Sequence, residues 1–159
     1  MVSRSSRAKR RRKMSTWGIL GCGTIANEMA ETFIKMGHEI YGVSNRTLEK
    51  AEKFAETYGV KHVFKTYEEM LADEKIDIIY IATPHSRHYE NMKQAVKAGK
   101  HVLCEKAITV NSAQLEEVLK LAEKKHVVVR EAMTISHMPL YKKLKERIKE
   151  GAIGKTKMV

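Results

Sequence analysis

Three groups of residues in this chain have the types and spacing to do chemistry. The first is Gly21-Cys22-Gly23-Thr24-Ile25-Ala26, which follows the apolar run Trp17–Leu20 and opens a helix-like pattern. A Gly-x-Gly-x-x-Ala turn between a strand and a helix is the phosphate-binding turn of a dinucleotide fold. Gly21 permits the tight turn, Gly23 lets the backbone approach a pyrophosphate, and Ala26 lets the helix pack close to the strand. Free N–H groups at the helix start, Thr24 and Ile25 among them, would hold the phosphate. The second group is Ser44-Asn45-Arg46, where the second strand ends. Sites specific for NAD usually carry an Asp or Glu here, bonded to the ribose 2′-hydroxyl. This segment has no acid. Arg46 offers a charged fork to a 2′-phosphate, with Ser44 and Asn45 as extra donors, so the pattern favours NADP(H) over NAD(H). The third group is the pair Glu105-Lys106, at the end of the strand-like run His101–Cys104. A lysine at a strand's carboxyl end, beside a cofactor cleft, is placed to move a proton or grip a hydroxyl.

These residues need elements to position them, and strand and helix signals alternate from Trp17 onward. The strands read Trp17–Leu20, Glu39–Val43, Lys61–Phe64, Ile76–Ala82, His101–Cys104 and Val127–Arg130. The helices read Ile25–Met36, Leu48–Tyr58, Thr66–Ala72, Ser86–Ala98, Ser112–Lys124 and Pro139–Glu150. Thr47 is the expected cap of the second helix and Gly59 its stop, while Thr66-x-x-Glu69 has the form of a capping box. Nearly continuous apolar strands between amphipathic helices predict an α/β fold with a doubly wound parallel sheet, covered on both faces. In such a sheet ligands bind at the carboxyl ends of the strands. Gly21, Ser44–Arg46, Thr83-Pro84 and Glu105-Lys106 all fall at such ends.

The bulk numbers narrow the class. The 159 residues make one domain's length, with 43% hydrophobic and 31% charged residues, as in a soluble globular protein. No apolar run approaches a membrane span, and no apolar stretch follows the basic N-terminus as a signal peptide requires. Cys22 and Cys104 read as reduced thiols in a cytoplasmic setting. The net charge of +11 resembles a nucleic-acid signature, but it is a property of the tail. Seven of the 30 basic residues lie in positions 1–13, which hold no acid, leaving 23 against 19 acids elsewhere. Residues 1–14 therefore read as a basic, disordered tail, an upstream extension of a chain whose natural start is Met14. Residues 15–136 read as the dinucleotide-binding domain, and 137–159 as a C-terminal helix leading into a further domain. His85-x-x-His88 could place two imidazoles on one helical face, but no third ligand follows at metal spacing. The pair reads instead as lining the nicotinamide edge or capping the helix. Cys22, at a helix start, could be a reactive thiolate or a small residue filling the turn, and the second reading is favoured.

Taken together these segments resemble the N-terminal domain of the glucose-fructose oxidoreductase / inositol dehydrogenase (Gfo/Idh/MocA) family. Within it they are similar to the trans-dihydrodiol and D-xylose dehydrogenase-like subgroup. The likeness runs from Thr16 to Val159. It rests on Gly21–Ala26, Ala82-Thr83-Pro84-His85 with His88, Gly99–Lys106, Glu131-Ala132-Met133 and Gly151-Ala152-Ile153-Gly154. The resemblance implies a hydride-transferring dehydrogenase acting on a sugar-like or cyclic-diol hydroxyl. Lys106 would lie near the nicotinamide and the reacting hydroxyl, Glu105 would line the cofactor, and the backbone after Ala82 would contact the ribose or nicotinamide. Most members have Glu-Lys-Pro, whereas this chain has Ala107, so a cis-proline turn is not implied. Thr134–His137 stands where the subgroup has an aromatic residue and an arginine. The family's second α/β domain walls the substrate pocket, supplies a catalytic histidine and forms a homo-oligomer. By the resemblance that domain would begin near Lys155–Val159, so it is expected to be absent and turnover by these residues alone to be poor. A non-catalytic nucleotide-binding or sensor module is the alternative reading. A basic-tailed nucleic-acid binder ranks below it, because no RNA-binding aromatic pattern follows the tail.

Overall fold

The computed structural model describes residues 15–155 and residue 157. The readings made for residues 1–14 lie outside the described residues. Six strands and six helices alternate: β1 (Trp17–Leu20), α1 (Thr24–Lys35), β2 (Ile40–Ser44), α2 (Leu48–Tyr58), β3 (His62–Phe64), α3 (Tyr67–Ala72), β4 (Ile78–Ile81), α4 (His85–Lys97), β5 (His101–Cys104), α5 (Ser112–Lys125), β6 (Val129–Glu131) and α6 (Pro139–Lys149). The strands form one parallel sheet in the order β3-β2-β1-β4-β5-β6. The order reverses between β1 and β4, and it is beyond the strand ends at such a reversal that sheets of this kind bind ligands.

Most expected elements lie within two residues of their predicted bounds, and the differences have local causes. The fourth strand begins at Ile78 rather than Ile76. Ile76 N–H is taken by Asp73 O and Ile76 O by the Lys100 ammonium, so Ile76 is not free for the ladder, while Asp77 stands at the strand's entry, its N–H donating to Thr16 O and its O accepting from His101 N. The second strand runs on to Ser44, which pairs with both Leu20 and Phe64. A 3-10 turn at Thr134–His137, which periodicity did not show, precedes α6. Thr66 caps α3, accepting from Glu69 N at 3.1 Å, while the Glu69 carboxylate reaches back to Lys65 N at 3.0 Å. Asn111 likewise caps α5 through Gln114 N. Thr47 stands at the start of α2, but its hydroxyl makes no capping bond.

Two apolar clusters lie on the two faces of the sheet. Ile19, Val43 and Tyr80 pack with Ala26, Ala30 and Phe33 of α1 and Ala51 and Phe54 of α2. Leu20, Ile79, Ile81, Val102 and Cys104 pack with Met70 of α3, Met92 and Val96 of α4 and Val118 of α5. Parallel strands buried on both faces need apolar residues at successive positions, which the Ile-Ile-Tyr-Ile run of β4 supplies. Lys100 is buried at the entry to β5, where its ammonium donates to Asp73 O at 2.7 Å and Ile76 O at 2.9 Å. Those two bonds offset the cost of taking a charge out of water, and they tie β5 to the end of α3. No residue of α6 is buried.

Candidate nucleotide-binding and reacting site

The glycine turn stands at the reversal of strand order. Gly21 has φ +95° and donates its N–H to Ser44 O at 2.9 Å. A Cβ at this position would lie 2.7 Å from Ala82 O, so β1 and β4 can approach this closely only with glycine here. Gly23 is the N-cap of α1, with no side chain to cap the helix and open space where a Cβ would point. Gly23 O accepts from Ala26 N and Asn27 N. Thr24 and Ile25, one step earlier, have no intrahelical acceptor for their N–H groups and are exposed. Ala26 is fully buried beneath them. A diphosphate fits this cradle, which offers free N–H donors, the positive end of a helix dipole and no carboxylate in the first turn.

The end of β2 borders the turn, but its residues divide the work differently from the expectation. Ser44 is not a ligand-facing donor. It is buried, and its hydroxyl donates to Phe64 O at 3.1 Å, because the strand continues through it. Asn45 joins two loops: its Oδ1 accepts from Cys22 N at 3.3 Å and its Nδ2 donates to Thr47 O at 3.0 Å. Arg46 is exposed. Two residues that sequence reasoning missed share its surroundings. The Tyr67 phenol is pushed up by burial, an effect opposed by a hydrogen bond from the Arg46 backbone and by the charges of Arg46 and Arg87. Arg87 lies in the first turn of α4, three residues after Pro84. Its position just past a strand's carboxyl end was the signal available for it.

The reacting end is assembled from β4, α4, β5 and β6. Lys106 is exposed, on a turn held from several sides. Glu105 N donates to Ile81 O at 2.9 Å, and Ile108 N donates to the Glu131 carboxylate at 2.9 Å. The Lys106–Ala107 peptide bond is cis, with alanine in the place of the family's proline. Glu105 does not line an open cleft. It is only 8% exposed, accepting from the Tyr80 hydroxyl at 2.6 Å and from Lys106 N at 3.2 Å. Burial first, and the Glu105 carboxylate second, push the Tyr80 phenol far above its ordinary range, so it stays a neutral donor. Tyr80 was not singled out from the sequence, although it is the only residue of β4 with a polar tip.

His88 also departs from the expectation. It is fully buried, with Nε2 2.8 Å from Thr83 O and Nδ1 2.9 Å from Ala107 O, and so cannot line the nicotinamide edge. Both ring nitrogens face backbone carbonyl oxygens at hydrogen-bond distance, which leaves neither open to a metal ion. His85 is exposed and packs edge-on against the His88 ring at 5.3 Å. Thr83 turns its hydroxyl inward to accept from Asn91 Nδ2 at 2.8 Å. The Ala82–Thr83 backbone runs past the glycine turn, within contact of the space beside Gly21. Burial pushes the Cys22 thiol up to about 11, so it fills the turn as a neutral group and is not a thiolate.

A parallel α/β sheet with an open glycine cradle at its strand-order reversal defines a dinucleotide-binding domain. The comparison with known proteins narrows this further. Residues 15–133 match the Gfo/Idh/MocA oxidoreductase family, described by its NAD-binding Rossmann fold, and the chain belongs to that family. It is 34% identical to a trans-1,2-dihydrobenzene-1,2-diol dehydrogenase of Xenopus laevis, over 90% of this chain and 44% of the relative. It is 38% identical to a D-xylose 1-dehydrogenase (NADP(+)) of Hypocrea jecorina, over 87% of this chain and 39% of the relative. Among solved structures it is similar to KijD10, a 3-ketoreductase from Actinomadura kijaniata in complex with NADP. That match has a TM-score of 0.82 and 28% identity, over 89% of this chain and 45% of the other. The chain thus spans less than half the length of the curated relatives it matches. Among the described residues, no helix is long and apolar enough to cross a membrane.

Proposed function

We propose that this chain is the NADP(H)-binding part of a dehydrogenase acting on a sugar-like or cyclic-diol hydroxyl. The observation that carries the cofactor choice is exposed Arg46 at the end of β2, with no carboxylate in Ser44–Arg46 and with the Arg87 charge nearby. Two guanidinium groups suit a 2′-phosphate, and an acid here would repel it. The D-xylose dehydrogenase relative is named for NADP(+), and KijD10 is held with NADP, which supports the same choice.

In this reading Thr24 and Ile25 N–H groups hold the diphosphate, and the Ala82–Thr83 backbone flanks the nicotinamide ribose. Asn45 keeps the glycine turn in register with the β2–α2 loop. The nicotinamide, when bound, exchanges a hydride with the substrate carbon. Lys106 assists the hydroxyl proton, since its ammonium is exposed while the turn beneath it is fixed. Residues 15–136 form the binding unit, and 137–159 lead toward a further domain and an oligomer interface. Exposed Leu140 and Leu144 on α6 support that role for the segment. Two unpaired cysteines, one of them buried, suit a reducing, cytoplasmic setting.

Calorimetric titration with NADPH and NADH tests the proposal. NADPH is expected to bind more tightly. Arg46→Ala should weaken NADPH about tenfold, the scale of one hydrogen bond to a charged group, and leave NADH unchanged. Equal affinities, or a preference for NADH, would refute the cofactor choice. Lys106→Ala should leave binding of the adenosine half intact, and it should abolish any NADP-linked oxidation of pentoses or cyclic diols.

A further inference from the structure

His88 is the one buried histidine of the seven in the chain, and its ring lies between two backbone carbonyls. The distances of 2.8 Å to Thr83 O and 2.9 Å to Ala107 O are those of ordinary N–H···O bonds. A carbonyl oxygen only accepts, and a neutral imidazole has a single N–H. With one proton, one ring nitrogen would present a lone pair to a carbonyl oxygen where water does not reach. Turning the ring over replaces both nitrogens with carbons and loses both bonds. The two contacts are therefore made together only when both nitrogens carry protons.

The carbonyls belong to different loops. Thr83 follows β4 and Ala107 follows β5, so the ring bridges the two loops proposed to flank the reacting end of the cofactor. Asn91, one helical turn further along α4, holds the first loop again through the Thr83 hydroxyl. The charged and titratable groups on the surrounding elements are His85, Arg87, Tyr89, Glu90, Lys93 and Lys97 of α4, Cys104 of β5, Glu105 and Lys106 of the turn, and Arg130 and Glu131 of β6. None of them hydrogen-bonds the ring. The Glu105 carboxylate is taken by Tyr80 and Lys106 N, and that of Glu131 by Ile108 N.

We infer that His88 is a positioning residue, a doubly protonated imidazolium strap tying the Thr83 loop to the Lys106–Ala107 turn. Its inferred effect on ligands rests on the proposed cofactor site. When the second proton leaves, one arm faces a carbonyl with a lone pair and lets go. The reacting end of the site then loosens, and the adenosine end, built on the glycine turn and Arg46, does not.

Nitrogen-15 NMR of the full chain with labelled histidine reads the ring directly. The His88 signals are assigned from their loss in His88→Gln. If that variant does not fold, single Gln substitutions at the six exposed or half-buried histidines assign them by elimination. Two protonated ring nitrogens near neutral pH are expected without any cofactor, and one protonated and one bare nitrogen would overturn the strap. The second measurement is the ratio of affinities for NADPH and 2′-phospho-ADP-ribose as pH rises. Both ligands carry the 2′-phosphate, so its ionisation cancels in the ratio. The ratio should fall by about tenfold as the second proton is lost, the scale of one hydrogen bond to a charged group. A constant ratio across the titration of the ring would overturn the positioning role. A chain that binds neither ligand refutes the cofactor reading instead, and the ring-nitrogen signals then judge the strap by themselves.

Discussion

Tyr80→Phe separates the packing of the strand core from the polar joint that core makes with the reacting turn. The substitution keeps the ring and removes only the hydroxyl, so no large cavity is left. Tyr80 is 1% exposed, and its hydroxyl donates to Glu105 Oε1 at 2.6 Å. Glu105 is itself buried, and without Tyr80 its side chain keeps one partner, Lys106 N at 3.2 Å. A hydrogen bond to a charged group contributes about 1.5–3 kcal/mol, so Tyr80→Phe should destabilise the fold by that amount. Urea unfolding near neutral pH measures it, and the slope should not change, because the surface buried is the same. Glu105→Gln should cost less, because an amide oxygen still accepts from the phenol. Combining the two changes should reveal a coupling of about 1 kcal/mol, within the range for residues in direct contact. A loss below about 0.5 kcal/mol for Tyr80→Phe, or strict additivity in the double variant, would refute the joint.

Two further perturbations follow from the geometry. Gly21→Ala should destabilise by about 2–4 kcal/mol, since φ is +95° and the new Cβ would meet backbone atoms of Ala82, which no rotamer change relieves. Gly23→Ala should leave unfolding unchanged within about 0.5 kcal/mol, because its Cβ meets nothing, yet it should weaken NADPH by filling the diphosphate cradle. Equal stability losses in the two variants would contradict this picture of the turn. Stability should also fall as pH rises above about 9. Burial raises the Cys22 thiol to about 11 and, with Glu105 and Glu131, the Cys104 thiol to about 12, from 9.0. The folded chain then holds protons that the unfolded chain releases, so this contribution is complete below the unfolded value and is lost as pH climbs toward the folded ones. Melting temperatures from about pH 8 to about pH 10.5 should decline, and Cys104→Ala should flatten the decline. An unchanged slope in that variant would contradict the assignment.

The sequence by itself determined whatever depends on neighbours a few residues away. Alternating apolar runs and helical periodicities placed all six strands and six helices, most within two residues of their ends. Thr66 was legible as a cap because its bond spans three residues, whereas Asn111, which caps α5 in the same way, emerged only from the structure. The Gly21-x-Gly23-x-x-Ala26 turn was legible because its requirements are local: a positive φ, a missing side chain and a small buried residue. Only the tertiary structure decided which strands became neighbours, and that choice set the roles within the site. Pairing β1 with β4 brings Gly21 against Ala82. Pairing Tyr80 with Leu103 puts the phenol on the same sheet face as Glu105, two residues on, so a residue expected to meet the cofactor meets a buried tyrosine 25 positions away. Ser44 turned inward because β3 continued the ladder beside it, and His88 became a clasp because α4 packs between two loops that lie apart in the chain. The physical reason is common to the last three. A polar side chain shows its type in the sequence, but its partner is chosen by strand order and register, which form only when the whole sheet does.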